Sequence, residues 1–186
     1  MEWIAIDNTY LNRTQMLNNA VIIRDFFLDQ GWTLNAICGM LGNMESESKM
    51  NPYLWQGRSI PDDIYTSTKG FGLTQWTPGS KLINWADERG LPYKDGYTQL
   101  QRIVYESQNN LQWSTDNLLN MTWDEYIISE EPVETLARVF VWAYERPADP
   151  NIELRQEQAA YWYSRLLAYN PLQRKGMPVW MMQRYY

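Results

Sequence analysis

Gly42-Asn43-Met44-Glu45-Ser46-Glu47-Ser48-Lys49-Met50-Asn51-Pro52 sets two carboxylates at the end of an apolar run, directly before an Asn-Pro step. Upstream, Ile37, Met40, Leu41 and Met44 follow the i, i+3, i+4, i+7 spacing of one helical face, and Thr33 stands where an N-cap belongs. The residue before a proline avoids helical backbone, so the pattern predicts a helix from Thr33 to about Ser48. At about 100° per residue, Glu45 and Glu47 point some 200° apart and cannot share one cleft. The apolar face centres between Met44 and Ser48, and Glu47 lies nearer to it. An apolar surrounding would disfavour its charge, raise its pKa toward working pH and make it a proton donor.

Working outward, Met16, Ala20, Ile23, Phe26 and Phe27 predict a preceding helix over about 13–30, ended by Gly31. Residues 51–77 read differently. They hold Asn51-Pro52, Gly57, Pro61, Gly70 and Gly72 around the β-formers Ile64, Tyr65 and Thr66, which predicts a loop or short β-hairpin. Thr77-Pro78 then opens a helix to about Arg89, with further helices over about 96–112 and after Thr122. From Pro132, the residues Val133, Leu136, Ala137, Phe140, Val141 and Tyr144 share one face until Arg146-Pro147. A last helix spans about 152–169 before Asn170-Pro171. The expected fold is mostly α, a helical bundle around a core helix with a small β-hairpin or loop lip over a cleft. The expected division is a domain over 1–171 and a basic, aromatic tail over 172–186.

Composition removes several chemistries. There is no histidine and one cysteine, so Ser-His-Asp and Cys-His hydrolysis and a Cys/His zinc site are excluded. Acid–base work falls to Asp, Glu, Lys or Tyr, with no cofactor and no metal expected. Cys38 sits in the apolar helical pattern as a core thiol. A net charge of −6 argues against nucleic acid as partner. No segment reaches the ~18 apolar residues of a membrane span, and no signal peptide precedes the first helix. Ten Trp and thirteen Tyr against four Phe favour rings with a polar handle, suited to sugar faces as well as to cores.

Three blocks carry a resemblance. Glu47-Ser48 ends the core helix; Gly72-Leu73-Thr74-Gln75 follows in the lip; Ala143-Tyr144-Glu145 ends the sixth predicted helix. Together with Gln75-Trp76-Thr77-Pro78, Asn84-Trp85-Ala86 and Tyr144-Glu145-Arg146-Pro147, they resemble lysozymes of the goose-type and lytic-transglycosylase kind, in particular the phage tail lysozyme family. The resemblance implies a peptidoglycan glycosidase cleaving the β-1,4 link between N-acetylmuramic acid and N-acetylglucosamine. It implies Glu47 as general acid, Gln75 as a sugar contact and Tyr144 as a cleft residue. The chain departs from the pattern at Thr74 and at Glu145, which stands where that family keeps Asn; Glu145 is either a second carboxylate or the partner of a cation such as Arg146. Asp63, in the turn-like Pro61-Asp62-Asp63, is the expected second catalytic carboxylate. Trp55, Trp76 and Gly72 complete the expected sugar-binding set. The implied partners are peptidoglycan strands and other phage tail proteins, in a virion tail or as a released lysin. A lytic transglycosylase and a non-catalytic wall-binding or tail-scaffold module are the alternatives.

Overall fold

The fold was described from a computed structural model, over residues 1–169. The expected tail 172–186 lies outside the described residues. Seven α-helices follow in order: α1 (Arg13–Asp29), α2 (Leu34–Ser48), α3 (Ser80–Asp87), α4 (Gly96–Gln108), α5 (Trp123–Ile127), α6 (Val133–Phe140) and α7 (Ile152–Leu167). A π-helical turn, Val141–Glu145, extends α6. Local chemistry sets the boundaries. Asn12 and Gln15 form a capping box at α1, and Thr122 and Glu125 form another at α5. Thr33 accepts from the Ala36 N–H at the start of α2. Gly31 turns the chain at φ 83°, and Lys49 closes α2 in the left-handed region. The third helix begins at Ser80, two residues later than Pro78 suggested.

α2 is the central helix. Every residue from Ala36 to Glu45 is buried, so it is enclosed on all sides, chiefly by α6 and α7. Glycines permit this. A Cβ on Gly42 would meet the Arg155 carbonyl oxygen at 2.4 Å and the Ala159 nitrogen at 2.8 Å; one on Gly39 would meet Leu136 and the Tyr126 hydroxyl below 3 Å. The backbone of α7 therefore rests directly on α2.

Most of the described tryptophans go into the core rather than onto sugar-facing surfaces: Trp32, Trp55, Trp76, Trp85, Trp123 and Trp162 are all buried. Several polar handles find partners inside: Trp123 Nε1 donates to the Leu111 carbonyl, Trp162 Nε1 to Glu45 and the Tyr126 hydroxyl to the Ala36 carbonyl, whereas Trp85 Nε1 is enclosed without one. Trp113, Trp123, Tyr126, Phe140 and Tyr144 form one cluster of tilted and edge-on rings. Cys38 is buried, and desolvation, opposed by Arg24, pushes its thiol up to about 12, which leaves it inert at neutral pH.

The expected β-hairpin is absent from the described residues. The lip carries only two isolated antiparallel bridges, Trp55 with Phe71 and Phe71 with Trp76. Side chains hold it instead. The Gln99 amide accepts from Leu73 N–H and donates to the Pro52 and Tyr93 carbonyls. Asn51 donates to the Ile6 and Thr9 carbonyls. The Ser48 hydroxyl, from the last turn of α2, donates to the Leu73 carbonyl at 2.8 Å. No helix among the described residues is long and apolar enough to cross a membrane.

Gly42→Ala sets two effects against each other. Alanine favours a helix interior by about 1 kcal/mol, but the 2.4 Å contact is with backbone that cannot move alone. Overpacking decides, and the substitution is expected to cost about 1–3 kcal/mol in urea unfolding, with the loss borne by the α2–α7 contact. A neutral or stabilising Gly42→Ala would show that the helices separate freely.

Candidate active site

α2 delivers Glu45 and Glu47 to different surroundings. Glu45 is 2 % exposed and accepts from Arg13 Nη1 at 2.9 Å and Trp162 Nε1 at 2.8 Å, with Lys49 at 3.9 Å. It ties α1, α2 and α7 together. Glu47 faces a cleft of about 410 Å³ between the lip and the segment after α6. The opposite directions of the two glutamates agree with the helical spacing, but the burial is reversed: Glu45 is the deeper one. Glu47 also lacks the purely apolar wall expected of it. Its Oε1 accepts from Arg155 Nη2 at 2.6 Å, with the arginine side chain 6 % exposed and the glutamate 18 %.

Glu145 enters the same cleft from the other side. The π turn places it there: Arg146 N–H reaches back five residues to the Val141 carbonyl, and Arg146 then turns left-handed at φ 46°. Through this turn Tyr144 stays inward and Glu145 lines the cleft. Glu145 is half-buried, but its Oε1 is enclosed without a hydrogen-bond partner. Burial, reinforced by the nearby charge of Glu47, holds its pKa well above the ordinary glutamate range, against the opposing pull of Arg155. Arg146 does not pair with it by hydrogen bond; its guanidinium donates to the Ala143 and Gln112 carbonyls.

The other expected residues divide. Gln75 borders the cleft at φ 51°, and both its amide hydrogens are spent on the Leu54 and Gly72 carbonyls at 2.9 and 3.0 Å. Its Oε1 remains to accept from a ligand N–H. Trp55 bounds the cleft but is 1 % exposed and packs on Phe71, so it is a wall rather than an open stacking platform. Four expectations are corrected. Trp76 is buried behind the cleft, donating to Glu106 Oε1 at 3.0 Å. Gly72, at φ 84°, backs onto the Gln99 amide rather than a ligand. Tyr144 does not line the cleft; it is fully buried with its hydroxyl on Glu106 Oε2, as its place in the apolar stripe of α6 requires. Asp63 is exposed and away from the cleft lining; its carboxylate accepts from Tyr65 N–H and the Thr66 hydroxyl, which lowers its pKa and caps a turn.

Three residues behind the cleft escaped the sequence reading. Glu106 is a buried carboxylate bonded by Trp76, Tyr144 and Arg102; burial raises its pKa, opposed first by Arg102. Arg155 and Asn43 bond each other at 3.0 Å. Only Asn43, one turn before Glu47, carried a signal in the sequence. Among the described residues, no three His, Cys, Asp or Glu side chains converge as a metal-holding group.

The raised pKa of Glu145 has a consequence for stability. The folded chain keeps this proton to a higher pH than the unfolded chain does, so folding loses free energy as pH rises above the ordinary glutamate range. Glu145→Gln, which mimics the protonated group, is expected to stabilise the fold at pH 7 by on the order of 1 kcal/mol, the worth of one pH unit of linkage. The gain should vanish near pH 4. Urea unfolding at the two pH values measures it, and a gain independent of pH would contradict the assignment.

Residues 18–166 match the family described as phage tail lysozyme. The chain is also similar to Morphogenesis protein 1 of Bacillus phage B103, at 47% identity over 159 residues. That alignment covers 86% of this chain and 42% of the relative, so the chain spans less than half of the relative's length. A family match across most of the chain, on a mostly helical fold whose core helix ends in a cleft glutamate, identifies this protein as a member of the phage tail lysozyme family.

Proposed function

We propose that this chain is a peptidoglycan glycosidase of a phage tail, a muramidase acting on the β-1,4 link between N-acetylmuramic acid and N-acetylglucosamine. The observation that carries the reading is the convergence of Glu47 and Glu145, from separate elements, in one cleft. Glycoside cleavage needs one protonated and one ionised carboxyl group beside the scissile bond. Unlike surroundings supply that division: Glu47 forms an ion pair with Arg155, while enclosure keeps the proton on Glu145.

Glu47, partly open to the cleft, is the carboxylate that meets the sugar, at the position the family resemblance gives the general acid. Glu145 keeps its proton at rest and is the second carboxylate in place of Asp63; as the sugar binds, that proton passes to Glu47. Glu47 then protonates the glycosidic oxygen, so that the leaving sugar departs as an alcohol, and the ionised Glu145 takes a proton from the attacking water, which restores the resting state. Gln75 Oε1, with its own N–H groups committed, suits the N–H of a sugar acetamide. A second carboxylate favours hydrolysis over the transglycosylase route, in which the substrate's own hydroxyl attacks. The acidic body, at net charge −6, leaves wall recognition to the cleft's shape and hydrogen bonds.

Purified Gram-positive peptidoglycan, digested with wild type and variants and followed by fragment mass, tests the reading. Wild type is expected to release fragments one water heavier per cut. Glu47→Gln and Glu145→Gln should each lower the rate by at least ~100-fold while still sedimenting with the wall. Asp63→Asn should stay within about twofold of wild type, as an exposed turn residue. Anhydro fragments would assign the transglycosylase reaction; a folded wild type that binds wall and releases nothing would assign a scaffold.

A further inference from the structure

Arg155 belongs to α7, yet its two terminal nitrogens reach the cleft end of α2. Nε donates to the Pro150 carbonyl at 2.9 Å, Nη1 to Asn43 Oδ1 at 3.0 Å and Nη2 to Glu47 Oε1 at 2.6 Å. Asn43 is itself fixed. Its Nδ2 donates to the Gly39 carbonyl at 2.9 Å and the Ala137 carbonyl on α6 at 3.0 Å, so only Oδ1 can turn to Arg155. Asn43 and Glu47 are one turn apart on α2 and therefore present adjacent acceptors to one planar fork. The Arg155 carbonyl, meanwhile, lies against Gly42. Backbone and side chain of one residue thus set both the α2–α7 distance and the direction of Glu47.

A buried arginine is costly unless its charge is matched. In the Arg13–Glu45 ion pair of α2 the carboxylate end is the closed one: the Glu45 side chain is 3 % exposed, beneath a half-exposed Arg13. The Arg155 pair ends instead on a carboxylate that opens to the cleft. The charged groups around Glu145 are Glu47 from α2, Glu106 from α4, Arg146 after the π turn and Arg155 from α7. Arg146 spends its hydrogen bonds on carbonyls, so Arg155 is the cation that bears on both cleft carboxylates.

We propose that Arg155 is the positioning residue of this site: with Asn43 it aims Glu47 into the cleft that Glu145 also lines. This rests on the reading of the cleft as a glycosidase site. The guanidinium stays behind Glu47 and makes no contact with sugar.

The test compares wild type, Arg155→Lys and Arg155→Gln in the whole chain, reading kcat and KM on peptidoglycan from pH 4 to 9. Glutamate carboxyl carbons are followed by NMR over the same range. Lysine keeps the charge but cannot bridge Asn43 and Glu47 together. Arg155→Lys should therefore lose about tenfold in kcat, as a small misplacement of a reacting group does, with KM and the pH profile retained. Arg155→Gln removes a charge that favours ionised carboxylates. Both limbs of its profile, and the carboxyl titration of Glu145, should move up by about one pH unit. If Arg155→Gln does not fold, Arg155→Lys decides alone: wild-type kcat in it would overturn the positioning role, and so would unmoved limbs in a folded Arg155→Gln. An inactive wild type would sink the glycosidase reading instead, and there the NMR titration still reads the effect of Arg155 on Glu145.

Discussion

The crossing of α7 over α2 at Gly42 is the constraint on which the other contacts rest. Hydrogen in place of a side chain lets the Arg155 carbonyl and the Ala159 nitrogen close on α2. At that separation Arg155 reaches Asn43 and Glu47, Gln158 reaches Ser46, and Trp162 reaches Glu45, so three side chains of α7 bond the last two turns of α2. A helix apolar on all sides would otherwise have no preferred rotation about its axis. These polar contacts fix it, and fixing it sends Glu45 inward and Glu47 to the cleft.

The chain uses buried carboxylates in two ways. Glu45 and Glu106 are surrounded by donors, each joining three other side chains, and serve as ties between elements. Glu47 and Glu145 are incompletely satisfied, one with a single arginine contact and the other with an enclosed oxygen that has no partner. An unsatisfied carboxyl group costs folding free energy that only a ligand or a reaction would justify. The π turn belongs to the same economy of placement. A regular α6 would have continued its period past Tyr144, whereas through the π turn Tyr144 stays on Glu106 and the next residue lines the cleft.

The lip depends on the bundle rather than on its own backbone pairing. Two isolated bridges are few for residues 51–77, and Ser48 of α2 and Gln99 of α4 bond the lip from the bundle side while Asn51 ties it to Ile6 and Thr9. Ser48 is the residue after Glu47, so the hydroxyl that anchors the glycine loop and the carboxylate that faces it leave α2 from consecutive positions. This couples the lip's position to the catalytic candidate through a rigid helix end.

Periodicity and punctuation alone marked the helices, the Thr33 cap, the core place of Cys38 and the opposed directions of Glu45 and Glu47. Those properties depend on residues within a turn or two of each other, and spacing encodes them. The β-hairpin failed because β-formers without a partner strand make no ladder. Asp63 failed because a local turn satisfies its carboxylate before any cleft can. The ion pair that holds Glu47 joins residues 108 apart, and no local pattern marks Arg155 among the charges of α7. Only the packed structure decides which distant side chains meet inside a low-dielectric core, and so the sequence could single out Glu47 as a candidate while the tertiary fold chose its partners.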